Sequence, residues 1–192
     1  MGRDKATIVF REEPLWQRQM NVLLSLRPEK IFVSVRQSPS WMPSGTELLL
    51  DEPPSRGPLS GLAKALERMQ TTHLVALAVD MPFMTGEQMQ VLWDRATMGC
   101  GVLPMIGDRA EPLAAIYPKE AGPDFLVALS GDDFSLQQLS RGLVQRGKLR
   151  FLQISQTDVE LYRNVNAPGD IKEGRFPNRS LEDAGGLETA PP

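Results

Sequence analysis

His73-Leu-Val-Ala-Leu-Ala-Val79 runs into Asp80-Met-Pro-Phe83. A short, nearly unbroken apolar run stopped by a proline reads as a strand covered on both faces, because a strand with one wet face would alternate apolar and polar residues. In open α/β sheets, ligands bind outside the carboxyl ends of such strands. Asp80 stands at that end. A carboxylate there can hold Mg²⁺ carrying phosphates, since Mg²⁺ takes one or two carboxylates and completes its shell with phosphate oxygens and water. Asp80 can equally be the residue that begins the turn before Pro82. The run by itself leaves both readings open.

Outward from this run, strands and helices alternate. On its amino side, Ile8-Val-Phe10 is a strand end or a packed loop, and Pro14 opens a helix at the position where its missing N–H is harmless. Leu15, Gln19, Val22, Leu23 and Leu26 give that helix a mostly apolar stripe, and Pro28 ends it. Lys30–Val35 reads as a buried strand, Glu47–Leu50 as a weaker one, and Leu62–Met69 as a helix beginning near Ser60. On the carboxyl side, Gly86–Ala96 is helical. Gly101–Ile106 and Pro112–Tyr117 form an antiparallel pair around Gly107-Asp108. Asp124–Leu129 and Leu136–Gln145 are helices, and Leu149–Ile154 is a last strand. The alternation predicts an α/β fold with a mostly parallel sheet. From about Glu173 the chain turns charged and Gly- and Pro-rich with little to bury, which predicts one domain over residues 1–172 and a disordered tail over 173–192.

Composition narrows the function. The chain has 192 residues, 41% hydrophobic and 23% charged, which suits one globular domain. A net charge of -3 gives no basic field for nucleic acid. No stretch approaches the roughly 20 apolar residues of a membrane helix, and none reads as a signal peptide. No membrane association and a cytoplasmic location are therefore expected. One cysteine and one histidine argue against His/Cys zinc clusters and Cys-His catalysis, and both Cys100 and His73 lie beside apolar segments.

Other segments fall where such a sheet presents a site. Met1-Gly-Arg-Asp-Lys5 offers Arg3 and Lys5, either solvated charges or phosphate ligands. Asp51-Glu-Pro-Pro-Ser-Arg-Gly57-Pro-Leu-Ser-Gly61 leads from a strand into a helix, where glycines admit close backbone approach to a ligand; the plain alternative is a turn with Ser60 as cap. Asp51 can accept hydrogen bonds from a ribose or a base. Asn164-Val-Asn166-Ala-Pro-Gly-Asp170 is a turn into a last helix, or presents Asn166 beside a metal. Arg109 and Glu111 read as a surface ion pair of little energetic weight.

In this order the segments resemble the molybdenum cofactor guanylyltransferases, the MobA-like nucleotidyltransferases. The resemblance rests on Met1-Gly-Arg-Asp-Lys5, Glu13-Pro-Leu15, Gly57-Pro-Leu-Ser-Gly61, Asp80-Met-Pro82, Glu111-Pro-Leu113 with Tyr117, and Asn164-Val-Asn-Ala-Pro168, and covers most of residues 1–172. It implies a three-layer Rossmann-like nucleotidyltransferase fold and transfer of GMP from GTP to molybdopterin, the organic part of the molybdenum cofactor, with Mg²⁺ as cofactor and pyrophosphate as leaving group. It implies that Lys5 and Asp80 are catalytic, that Asp80 binds the metal, and that Lys5, Asp51, Gly57, Gly61, Asp80 and Asn166 surround the nucleotide. An acceptor molybdoenzyme is a further expected partner.

Two departures shape the expectation. The family signature opens with a strand and a Leu-Ala-Gly-Gly loop, of which the sequence keeps only Met1-Gly-Arg-Asp-Lys5. The first strand is thus expected to be missing, with Met1 an internal methionine; losing a central strand exposes two edges and costs stability on the scale of a whole domain. The family often has Asn after its second strand, where this chain reads Ser34-Val-Arg36. A related CTP or sugar-phosphate nucleotidyltransferase and a non-catalytic truncated remnant are the alternatives.

Overall fold

The strands fall into separate sheets in a computed structural model that describes residues 4–51 and 53–165. β1 (Val9–Phe10) and β2 (Glu13–Pro14) make a small antiparallel ribbon that leads into α1 (Leu15–Ser25). β3 (Phe32–Val35) and β4 (Glu47–Leu50) pair in parallel. α2 (Pro58–Arg68) then runs back along β4: Lys64 Nζ donates to the Leu50 carbonyl at 3.1 Å near the strand's end, and Arg68 Nη1 meets Glu47 Oε1 at 3.0 Å near its start. β5 (His73–Val75) therefore begins at the edge where β3 and β4 begin and points the same way.

The larger sheet contains β5, β6 (Gly101–Ile106), β7 (Arg109–Ala110), β8 (Ile116–Pro118) and β9 (Leu149–Gln153). β8 is antiparallel to both β5 and β6, and β9 is parallel to β6. β3, β4, β5, β6 and β9 thus share one direction, as the alternation predicts. The expected antiparallel pairing of β6 with β8 is present, Val102 standing opposite Ile116, but the two are not joined as one hairpin. The hairpin around Gly107-Asp108 closes on β7, while Ile116–Pro118 inserts between β5 and β6. Gly101 allows that insertion: a Cβ there would lie 1.9 Å from the Ile116 carbonyl oxygen.

The large sheet is covered on both faces. Leu103, Ala115 and Tyr117 pack against Leu62 and Leu66 of α2, Phe125 of α4 (Gly122–Ser130) and Leu143 of α5 (Leu136–Gln145). Their sequence neighbours Val102, Ala114 and Ile116 face the other way, onto Val22 of α1 and Met89 and Leu92 of α3 (Gly86–Trp93). This period-two division gives helix, sheet and helix as three layers. None of these helices is long and apolar enough to cross a membrane.

Between β3 and β5 lies a cavity of about 740 Å³. Residues 31 and 35 of the first segment hydrogen-bond toward β4, and residues 76 and 78 of the second bond toward 115 and 113. By strand alternation, the backbone groups of Phe32 and Ser34 on one side, and Val75 and Leu77 on the other, point into the cavity. Among the described residues no strand fills it. The run Leu74–Val79, expected to be covered on both faces, is mostly half-buried for this reason. The expected tail and Asn166 lie outside the described residues.

Candidate active site

Asp80 lies in the turn that follows the ladder continuing β5 as far as Ala78, and helix α1 fixes the residues after it. Gln19 Nε2 donates to the Met81 carbonyl at 2.6 Å, and Arg18 Nε donates to the Pro82 carbonyl. This accounts for a glutamine on the apolar stripe of α1: Gln19 is 5% exposed and holds the turn. The Asp80 carbonyl accepts from the Val165 N–H at 2.8 Å, so the segment leading to Asn166 is tied to the same turn. Gln88 Nε2 of α3 reinforces that tie by donating to the Tyr162 hydroxyl at 2.9 Å.

The Asp80 side chain faces Lys5, whose Nζ lies 3.2 Å from Oδ2. The lysine side chain is 45% exposed and the carboxylate 21%, so this is a rim pair open to exchange with a ligand rather than a buried lock. Lys5 rides on a 3₁₀ turn, Lys5–Thr7, capped by Asp4. Beneath it, Ile8, Phe10, Leu15, Phe83 and Val165 make a small apolar cluster that joins the amino segment to the Asp80 turn.

Asp51 follows β4, and its N–H bonds the Val35 carbonyl at 2.9 Å. Oδ2 accepts from Ser55 Oγ at 2.7 Å, and the Gly57 N–H donates to the same Ser55 oxygen at 3.2 Å. Gly57 is left-handed at φ 63° and stands just before α2. Ser60 is therefore inside the helix, not its cap, and its hydroxyl accepts from the Arg56 N–H at 2.9 Å. Gly61 serves packing: a Cβ there would fall 2.2 Å from Ser34 Oγ on β3. Asp51, Gly57, Gly61 and Asp80 all line the cavity between β3 and β5. The fold thus brings Asp51, Gly57, Gly61 and Asp80 to one cavity, with Lys5 against Asp80.

For a divalent ion the donor set is one carboxylate. Among the described residues no group of three or more His, Cys, Asp or Glu side chains could hold a metal. The histidine and cysteine stay with their packing roles: His73 contacts Thr97 O and Thr72 Oγ1, each at 3.0 Å, and Cys100 Sγ is 3.7 Å from Gly101 O.

Two features escaped the sequence reading. Glu111 is not half of a surface pair. Its side chain is 12% exposed, 3.5 Å from the exposed Arg109, and burial raises its carboxyl above the ordinary range against the pull of that arginine. Trp41, in the Ser- and Pro-rich loop before β4, donates from Nε1 to Asp4 Oδ2 at 2.9 Å and stacks on Trp16. A lone tryptophan in a polar loop was the available signal.

Comparison with known proteins gives a consistent result. The family profile described as MobA-like NTP transferase domain matches residues 1–148. A probable molybdenum cofactor guanylyltransferase of Opitutus terrae is 32% identical over 173 residues, covering 88% of this chain and 86% of the relative. Among solved structures, molybdopterin-guanine dinucleotide biosynthesis protein A of Archaeoglobus fulgidus superposes with a TM-score of 0.68 at 20% identity, covering 89% of this chain and 88% of the other. The 2-C-methyl-D-erythritol 4-phosphate cytidylyltransferase of Thermus thermophilus gives 0.62 at 14% identity, covering 87% and 90%.

Proposed function

Because the chain belongs to the MobA-like NTP transferase domain family and is a nucleotidyltransferase, we propose that it transfers GMP from GTP to the phosphate of molybdopterin, with Mg²⁺ and with release of pyrophosphate. The observation that carries this reading is the Lys5–Asp80 contact at the cavity that Asp51 and Gly57 also line. A cation and an anion of a rim pair can each take a new partner when a charged ligand arrives. Mg²⁺, when bound with the nucleotide, supplies charge neutralisation on the phosphate oxygens. Asp80 is its protein ligand, and Lys5 is released to contact phosphate. Asp51 and the Gly57 loop face the nucleoside, and Asn166 is a further ligand of the metal or the second substrate. A phosphate oxygen of the pterin attacks the α-phosphorus in line, a P–O bond forms, and the bond to the bridging oxygen breaks as pyrophosphate leaves. Lys5 stabilises developing negative charge, and no protein nucleophile takes part.

The test is direct. Protein, Mg²⁺, labelled GTP and molybdopterin are incubated, and pyrophosphate and the dinucleotide are measured. Equal release of both, with far less product from CTP or UTP, is expected. Product with CTP but not GTP would move the chain to the cytidylyl branch. The cavity between β3 and β5, which no strand among the described residues fills, favours one other reading, a non-catalytic protein that binds the nucleotide without transferring it; GTP binding with no pyrophosphate release would establish that.

A further inference from the structure

Among the described residues, the carboxylate of Asp4 makes two hydrogen bonds. Oδ1 accepts from the Ala6 N–H at 3.0 Å and so caps the turn that carries Lys5. Oδ2 accepts from Trp41 Nε1–H at 2.9 Å, across 37 positions of sequence. The Trp41 ring stacks on Trp16 of α1, with centroids 5.5 Å apart and planes at 15°. α1 is the helix whose Arg18 and Gln19 hold the turn after Asp80. The backbone of Lys5 and the backbone of Asp80 are thus both referred to one helix, the first through Trp16, Trp41 and Asp4. A lysine side chain is flexible, so the element that can be fixed is the backbone from which it hangs.

We propose that Trp41, acting through Asp4, is a positioning residue for Lys5 that keeps its ammonium where the triphosphate meets Asp80. This rests on the reading of Lys5 as a phosphate ligand. Trp41→Phe keeps an aromatic ring against Trp16 and removes only the donor to Asp4. The Lys5 turn then loses the restraint that ties its cap to α1, and triphosphate binding weakens.

The experiment measures Kd for GTP with Mg²⁺ by calorimetry in two backgrounds, with thermal melts confirming that each variant is folded. Trp41→Phe in the natural background raises Kd about three- to tenfold, the scale of one ordinary hydrogen bond. In a Lys5→Ala background the same substitution changes Kd no further, because residues that act through one another are not additive. Asp4→Asn makes the test from the other partner, and combining it with Trp41→Phe adds little to either alone. An unchanged Kd on Trp41→Phe in the natural background overturns the proposal. An equal rise in both backgrounds also overturns it, since that marks a general loosening of the site. If Lys5→Ala alone leaves Kd unchanged, the phosphate role of Lys5 fails and the proposal falls with it, a result visible before Trp41 is touched.

Discussion

The two sheets of this molecule are built to different standards. In the large sheet Val102, Leu103, Ile116 and Tyr117 are fully buried, and the Tyr117 hydroxyl donates to the Pro112 carbonyl at 2.8 Å. Across the cavity, β3 and β4 are mostly half-buried, and among the described residues no strand pairs with the free edge of β3. The proposed chemistry lies on the rim between them, where the side chains of Lys5 and Asp80 are partly exposed although their backbones are held. Stability should therefore reside in the large sheet and its helices, and ligand response at the rim. A residue's role can then be read from which way a substitution separates folding from binding.

The largest effect expected on folding alone is in the large sheet. Phe125→Ala should cost about 3–5 kcal/mol, because Phe125 is fully buried edge-on against Tyr117 and its loss leaves a cavity. Chemical denaturation measures it, and a cost below about 1 kcal/mol would mean that the two sheets do not differ as described. Asp80→Ala should do the reverse. Turnover should fall by about a hundredfold to a thousandfold, the scale of losing one charge-stabilising group. Its stability should change by less than about 1 kcal/mol, since the pair with Lys5 is partly exposed. Retained Mg²⁺-dependent transfer would sink the metal assignment.

Lys5→Ala is a smaller step in the same direction. Triphosphate affinity should fall by about tenfold while the melting temperature holds, the scale of one charge-assisted hydrogen bond. Unaltered affinity would place Lys5 outside the site. The smallest effect tests Glu111. Burial raises its folded carboxyl above the ordinary 4.5, so the native state holds a proton that the unfolded chain has already lost. The natural protein thus loses stability as pH rises from that value through the raised one. Glu111→Gln should be more stable than the natural protein at neutral pH by less than about 1 kcal/mol. The gain should vanish in acid, which paired melts at about pH 4 and pH 7.5 would show. The same difference at both pH values would exclude protonation as the cause.

How much of this was legible in sequence depends on range. α5 lies where its apolar spacing puts it, because an amphipathic helix writes its period locally. The position of Asp80 at the cavity was readable, because it follows an apolar run just before a proline. The antiparallel pairing of β8 with β6 was readable too, but not its second partner: nothing local says that β8 enters between β5 and β6, which the crowding at Gly101 makes possible. Glu111 read as a surface charge because its neighbour Arg109 is one, and burial is a property of the fold around both. Trp41 was passed over because a loop has no period, and its bond to Asp4 spans two elements.

The central claim is that Asp80 joins a metal-bound nucleotide to this fold. Thermal unfolding of the natural protein and of Asp80→Ala, each with GTP alone and with GTP plus Mg²⁺, tests it most directly. A ligand at about a hundred times its Kd stabilises the folded state by about 2.7 kcal/mol. The account predicts a gain of that order in the natural protein only when Mg²⁺ accompanies GTP, and its loss in Asp80→Ala. An equal Mg²⁺-dependent gain in both proteins would contradict it.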